Sequence, residues 1–317
     1  MNRLREWLAD GPLTTDGAWG TELQARGLEP GAAPDTWNLT HPDRVEAVAR
    51  AYVEAGSQVI LTNTFRANSI AMDVAAWPFS GADPPVCAGP PGPAGERSSP
   101  VCAINRAGVA ISKRAAAGRA LVFASIGPTG KLLAAGQITE EETQTAFTVQ
   151  SATLAAAGAD ALLIETMSDI QEARLAVAAA KNTGLPVIVS FAFDSGKNKD
   201  RTMTGATPEA VAAAMVEAGA DAVGANCGVG IEHTAPICRR LRAACDLPIW
   251  IKPNAGIPIM EETPDGAAIR YAMSADCFAS YYAALLAAGA SFIGGCCGST
   301  PDFIRALINA RANAKCA

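Results

Sequence analysis

Histidine is nearly absent from this chain, with two, His41 and His233, among 317 residues. A mechanism built on imidazole as general base therefore has little to draw on, and each histidine adjoins a predicted helix start, where a surface or capping role suffices. Aromatic residues make up only 6%, while Ala and Gly abound, as helices packed closely on a sheet require. No basic run or stripe interrupts a net charge of −6, which argues against nucleic acid and acidic membranes as partners. No apolar window reaches the length of a membrane span. The opening run Met1-Asn2-Arg3-Leu4-Arg5-Glu6-Trp7 has no apolar signal region, so a cytoplasmic protein is expected. Nine cysteines without such a signal read as reduced thiols, where metal binding or catalysis outranks a disulfide framework.

What is present is a weak repeat. Four segments run from a helix end through a glycine into a short apolar strand. They are Tyr52–Gly56 into Val59–Thr64, Ala155–Gly158 into Ala161–Thr166, Val216–Gly219 into Ala222–Cys227, and Leu286–Gly289 into Ser291–Cys297. Each glycine suits the left-handed position that closes a helix. Each run that follows is apolar on both faces, as in a buried parallel strand. Seven and eight residues beyond the glycines stand Asn63/Thr64, Glu165/Thr166, Asn226/Cys227 and Cys296/Cys297. Polar and sulfur groups thus occupy the carboxyl ends of four strands, which in a parallel barrel converge on one mouth.

Leu13–Asp16, Leu121–Ile126, Val187–Phe193 and Ile249–Lys252 supply four more strands. Thr139 with Glu142 and Ser168 with Gln171 have capping-box spacing, and Thr207-Pro208 and Thr300-Pro301 place proline in a first helical turn. Eight strands alternating with helical patterns argue a parallel sheet and an α/β class fold, a (β/α)8 TIM barrel forming a single domain over residues 1–317. Residues 78–100, dense in Pro, Gly and Ser, do not fit the pattern. They read as a flexible insertion on the catalytic side, with a lid over the mouth as the alternative.

Cys296-Cys297 is the sharpest feature. Neighbouring side chains on a regular strand face opposite ways, but Gly294, Gly295 and Gly298 let the backbone bend at this strand end. Cys227 stands at another strand end with Gly224 and Gly228 nearby. Three thiolates at one barrel mouth suit Zn2+ and leave its fourth position open for substrate. Singly, each cysteine reads equally as a small buried hydrophobe. Cys238 and Cys245, seven apart on a predicted helix, are expected to share a core face, and Cys277 falls in another helical pattern. Asp16 and Glu165 are acidic strand-end residues, each of which alone would serve as a helix cap or ion-pair partner. Together they suit an ammonium group. Backbone amides near Gly17 and Ala18, with the hydroxyls of Thr62 or Thr64, suit a carboxylate, and Asn226 lines the same mouth.

These residues resemble a known family. Asp16-Gly17-Ala18-Trp19-Gly20-Thr21-Glu22-Leu23, Trp37-Asn38-Leu39-Thr40-His41-Pro42, Thr62-Asn63-Thr64-Phe65, Glu165-Thr166, Gly224-Ala225-Asn226-Cys227, Pro253-Asn254-Ala255-Gly256 and Gly294–Pro301 are similar to motifs of the homocysteine S-methyltransferases. Within that family they look most like the homocysteine-binding module of cobalamin-dependent methionine synthase. The resemblance implies a barrel, Zn2+ held by Cys227, Cys296 and Cys297, and homocysteine bound through sulfur as the fourth ligand. It implies too that Asp16 and Glu165 bind the substrate amine, with backbone near Gly17 and Ala18 helping. Ala18 departs from the glycine common there.

The methyl donor is read from differences between family types. Betaine-type members carry tyrosines where this chain has Arg66 and Thr166, and a guanidinium would repel a quaternary ammonium that an aromatic cage attracts. The chain ends soon after Ile308, short of the long arm of that type. The S-methylmethionine type usually has arginine where this chain has Gly298, and lacks the Trp37–Pro42 run. A methylcorrinoid, carried by a partner protein, is therefore the favoured donor, with betaine, S-methylmethionine or S-adenosylmethionine as alternatives. Two other readings stay open: a zinc-thiolate methyltransferase acting on a different thiol, and a non-catalytic zinc-binding barrel subunit. Oligomeric state is not legible.

Overall fold

The strands of this chain are short, and nearly every residue in its parallel strands is buried because both faces are covered. In the computed structural model, which describes residues 3–29, 31–72, 99–263 and 266–316, the strands are β1 (Leu13–Thr14), β2 (Val59–Leu61), β3 (Leu121–Ile126), β4 (Ala161–Met167), β5 (Val187–Phe191), β6 (Ala222–Cys227), β7 (Ile249–Pro253), β8 (Pro258–Thr263), β9 (Gly266–Tyr271) and β10 (Ala290–Ile293). Eight of them form one sheet in the order β1-β10-β7-β6-β5-β4-β3-β2, with every neighbouring pair parallel. The two ends of that order meet. Thr15 bridges Val59 in parallel, and the Gln58 N–H donates to the Thr14 carbonyl at 2.8 Å. The sheet is thereby closed into a (β/α)8 TIM barrel, as the eight-strand reading predicts.

Parallel neighbours need long crossovers, and helices supply them. Pro42–Glu54, Pro100–Ala116, Glu140–Ala156, Ile170–Lys181, Pro208–Glu217, Thr234–Ala244, Tyr282–Ala287 and Pro301–Cys316 lie between or after the barrel strands. Gly56, Gly158, Gly219 and Gly289 take φ of 99°, 95°, 81° and 94°, the left-handed closure expected of them. Thr139 and Glu142 make a full capping box, and Thr207 caps Ala210 with Pro208 behind it. The other capping box is corrected. Asp169, not Ser168, caps its helix, its carboxylate accepting from the amides of Gln171 and Glu172, because a carboxylate is the stronger acceptor at a helix dipole.

The period of two along each strand sorts the core. Leu13, Val59, Leu61, Phe123, Ala161, Leu163, Ile188, Ala222, Trp250 and Phe292 fill the barrel's floor as a cluster of their own, with Trp7 against them. Trp250 lies 5.2 Å from Phe292 and 6.0 Å from Phe123 between ring centroids. Alternate residues such as Ile60, Val122, Leu162 and Val223 face outward into the larger cluster shared with the helices. Two residues beyond the floor positions come Ser125, Glu165, Ser190, Gly224, Lys252 and Gly294, so the next layer is polar.

Other expectations are adjusted. β1 and β2 end before Asp16, Thr62 and Thr64, which stand in the loops just beyond. Cys238 is buried in its helix, but that helix stops at Ala244; Cys245, in extended backbone, packs on the core from the cap. Cys277 does lie in a helix, Ala275–Ser280. Cys102 is disulfide-bonded, contrary to the reading of all nine as thiols. Of residues 78–100, 78–98 lie outside the described residues, while Pro100 opens a helix. The antiparallel hairpin β8–β9, inserted after β7, has no counterpart in the sequence reading.

Candidate metal and substrate site at the barrel mouth

Cys227 is the last residue of β6, with φ of +58°. A side chain in that conformation is strained by order 1–3 kcal/mol, and Thr166 at the end of β4 shares it at +62°. Asn226 ties the two ends together. Its Oδ1 accepts from the Thr166 amide at 2.9 Å and the Ser190 hydroxyl at 2.6 Å, and its Nδ2 donates to Thr166 Oγ1 at 2.7 Å.

β10 stops at Ile293, so Cys296 and Cys297 lie in the turn beyond it rather than on alternating strand faces. That turn is sewn to its neighbours. The Gly295 amide donates to the Asp16 carbonyl at 3.1 Å, the Cys296 amide to the Pro253 carbonyl at 2.7 Å, and the Ala255 amide to the Cys297 carbonyl at 2.9 Å. Side chains at 294 and 295 would collide with Thr15 Oγ1 and Ser299 Oγ, which explains the glycines. As a result the Sγ atoms of Cys227, Cys296 and Cys297 all lie within 4.8 Å of one another, each half-buried.

Packed thiols without a cation resist ionisation. Cys227 is pushed up to about 12: hydrogen bonding to Cys296 lowers it, but hydrogen bonding to Cys297, burial and the Cys297 charge more than reverse that. Cys297 is likewise pushed up to about 12, since the lowering by Cys227 is outweighed by contact with Cys296 and by burial. Hydrogen bonding to Cys227 heads the causes that raise Cys296. Three soft donors that mutually oppose one another's charge are a set that a divalent cation resolves, and the donor chemistry fits zinc.

Around the sulfurs, the first motif is braced rather than open. The Tyr52 hydroxyl is shared between the carbonyls of Ala18 at 2.9 Å and Ser299 at 3.0 Å, and a Cβ on Gly17 would strike it. Ala18 has ordinary extended backbone, φ −77° and ψ 116°, so alanine fits where glycine is common. Its amide donates to Ser299 O at 2.9 Å. The row of free amides expected at Gly17 and Ala18 is thus already committed at Ala18.

Asp16 is fully buried. Its Oδ1 takes an ion pair from Lys252, and its Oδ2 accepts from Trp19 Nε1 and the Leu61 amide, both at 2.7 Å. Glu165 is 7% exposed and accepts from Ser125 Oγ at 2.5 Å. Burial raises its pKa against the pull of Lys252 and Ser125. Thr62 and Thr64 share a 2.6 Å hydroxyl contact; Thr64 donates to Ser125 O at 2.7 Å and Thr62 accepts from the Ser125 amide at 3.1 Å. His41 and His233 are exposed and neither caps its helix by side chain.

Three residues here escaped the sequence reading. Lys252 is one, although a lysine two places beyond Trp250 in an apolar strand is a visible signal. Asn254 donates to Gly228 O at 2.8 Å and hydrogen-bonds Cys227, while its Oδ1 is buried without a partner. Tyr271, at the end of β9, sits over Gly298 and hydrogen-bonds Cys297. The run Thr263-Pro264-Asp265-Gly266 has the composition of a turn between strands and is the signal for that hairpin.

The sequence profile of the homocysteine S-methyltransferases matches residues 13–311. Methionine synthase from Mycobacterium leprae is 29% identical over 337 residues, covering 99% of this chain and 25% of that protein. Methionine synthase from Mycobacterium tuberculosis is 29% identical over 336 residues, covering 98% of this chain and 26% of that protein. The chain thus spans about a quarter of the length of these relatives. The metallated form of the homocysteine methyltransferase MmuM from Escherichia coli has the same fold, with a TM-score of 0.75 at 24% identity over 96% of this chain and 99% of that one. Its apo form gives 0.70 at 24% identity, over 98% of this chain and 100% of that one. With its profile match over nearly the whole barrel, the chain is a methyltransferase and belongs to the homocysteine S-methyltransferase family.

Proposed function

We propose that this chain moves a methyl group onto the sulfur of L-homocysteine, giving methionine, with Zn2+ held by Cys227, Cys296 and Cys297. The observation that carries the reading is the convergence of those three Sγ atoms within 4.8 Å from two separate strand ends. When bound, zinc supplies a thiolate at neutral pH, by stabilising the deprotonated sulfur of a substrate that takes its open position. The chain's own residues do the rest. Asn254 and Tyr271 orient Cys227 and Cys297 by hydrogen bonds, as partners of metal ligands do. Glu165 holds the substrate ammonium, with Asp16 adding negative charge beside it, while Gly17, Ala18, Thr62, Thr64 and Asn226 shape the wall of the pocket. The sulfur forms its bond to the methyl carbon as the carbon–donor bond breaks, and the donor keeps that electron pair.

The donor in this reading is a methylcorrinoid on a partner protein. It is supported by the kinship with methionine synthases and by the exposed Arg66, a poor neighbour for betaine. The test is zinc-loaded protein given homocysteine with methylcobalamin, betaine, S-methylmethionine or S-adenosylmethionine in turn, scored for methionine. Methylcobalamin is expected to support turnover and betaine to give none. Turnover with S-methylmethionine or betaine, and none with methylcobalamin, overturns the donor while leaving the acceptor site standing.

A further inference from the structure

Of the donors first expected to hold the substrate carboxylate, the Ala18 amide and both threonine hydroxyls are committed inside the protein, which leaves the single amide of Gly17. The Ala18 amide is given to Ser299 O. Thr64 spends its single hydroxyl hydrogen on Ser125 O, so in the 2.6 Å contact between the two hydroxyls Thr62 must be the donor. Neither threonine has a hydrogen left. Asn226 is fixed by Thr166 and Ser190. Ser125 gives its hydroxyl hydrogen to Glu165.

One strong donor in this layer is under-used. The Lys252 ammonium carries three hydrogens, and its side chain is 2% exposed with Asp16 as its ion-pair partner among the described residues. It acts on Glu165 electrostatically without pairing with it, and on Cys296 as well. Asp16, by contrast, already accepts from Lys252, Trp19 and Leu61. The layer beneath the sulfurs therefore presents one under-used cation and one under-used carboxylate on the inner face of β7 and β4. That pairing matches the head of a zwitterion.

Resting on the homocysteine reading above, we infer that Lys252 is the specificity-determining residue that binds the acceptor's α-carboxylate, leaving the ammonium to Glu165 and making Asp16 the anchor of Lys252. The pairing follows from charge complementarity in a site shielded from water, where an unmatched charge is costly. The acceptor class it selects is a thiol bearing both carboxylate and ammonium.

The test uses the full chain loaded with Co2+ in place of zinc, so that thiol binding is read from thiolate-to-cobalt charge-transfer absorption rather than from turnover. Three probes are titrated: L-homocysteine, 4-mercaptobutyrate, which lacks the ammonium, and 3-aminopropane-1-thiol, which lacks the carboxylate. Lys252→Met is expected to weaken homocysteine and 4-mercaptobutyrate by at least about tenfold, the loss of one charged hydrogen-bond partner. It should leave 3-aminopropane-1-thiol within about threefold, on the same scale. Glu165→Gln should show the mirror pattern. Because Lys252→Met strands a buried carboxylate, the Asp16→Asn/Lys252→Met double variant is titrated as well, and Lys252→Arg should restore part of the carboxylate preference. Equal weakening of all three thiols, or no change in any, in the folded double variant overturns the inference. Wild-type protein that takes 4-mercaptobutyrate but not homocysteine would overturn the acceptor reading and leave the role of Lys252 intact. Wild-type protein that binds no thiol overturns both.

Discussion

The floor and the mouth of this barrel are built by the same eight strands and obey opposite rules. At the floor, Phe123, Trp250 and Phe292 stack in a dry plug whose positions are set by the period of two. One step along the same inward faces, Glu165 and Lys252 are buried charges, and beyond them stand three crowded thiols and strained backbone at Thr166 and Cys227. Burying charge and holding positive φ both cost stability. The floor offsets what the mouth spends. The difference teaches that in this chain the inward residues report stability or chemistry according to their height along the strand, not according to their burial.

The largest effects should separate the two ends cleanly. Cys227→Ala is expected to abolish zinc binding and methionine formation while the protein stays folded, measured by metal analysis, assay and thermal melting. A Cys227→Ala protein that keeps its zinc breaks the assignment of the mouth. At the floor, Trp250→Ala should cost about 3–5 kcal/mol of stability by denaturant unfolding. Protein that remains folded should still bind zinc. Zinc lost in proportion to the floor's loosening would show the two ends to be one unit.

Next in size is a buried acid on the wall. Asp35, in the turn before the Trp37–Thr40 helix, is pushed up to about 6 by burial, against the opposing pull of the Arg66 amide and charge. Its folded pKa lies above the unfolded value of 3.8, so the folded state binds more protons across that interval. Stability from this group is therefore present below about pH 4 and lost as pH rises through about 6, by up to about 3 kcal/mol. Asp35→Asn should flatten that part of the stability–pH curve and raise the melting temperature at neutral pH. An unchanged slope would place the cost elsewhere.

How much of this was legible in the sequence differs between the two ends in the same way. The helix–glycine–strand repeat marked four of the eight barrel strands, and the positive φ of Gly56, Gly158, Gly219 and Gly289 confirms its logic. The cysteine trio was legible because three chemically rare residues stood at matching distances past glycines. Lys252 was missed because its strand, read as 249–252, lies outside the glycine-led repeat that marked Glu165, Asn226 and the cysteines. The commitments of Thr62, Thr64 and Ala18 could not be read, since they depend on partners as distant in sequence as Ser125 and Ser299. Asp169 displaced Ser168 as the cap because the spacing of Ser168 to Gln171 drew attention one residue too early, and the helix begins at Ile170. Hairpin β8–β9 was not read, because it falls outside the repeat.

Smaller effects sharpen the contrast. Glu165→Gln should weaken homocysteine binding by more than about tenfold while leaving zinc bound, since it removes a charged partner from the ammonium. Because burial raises the pKa of Glu165, wild-type affinity should fall as pH drops and the carboxylate takes up a proton. Affinity that is unchanged in the variant would move the ammonium to another group. Smallest of all, Cys238→Ala, whose thiol touches Ala288 O at 3.5 Å on the far side of the wall, should cost only about 1 kcal/mol and leave zinc and turnover intact.

The central claim is a three-thiolate centre that keeps a place for the substrate's sulfur. X-ray absorption at the zinc edge tests it most directly, on the zinc-loaded chain with and without L-homocysteine. The account predicts three sulfur ligands in the free protein, from Cys227, Cys296 and Cys297, rising to four when homocysteine is added. A centre already closed by four protein ligands, with a spectrum that homocysteine leaves unchanged, would contradict it.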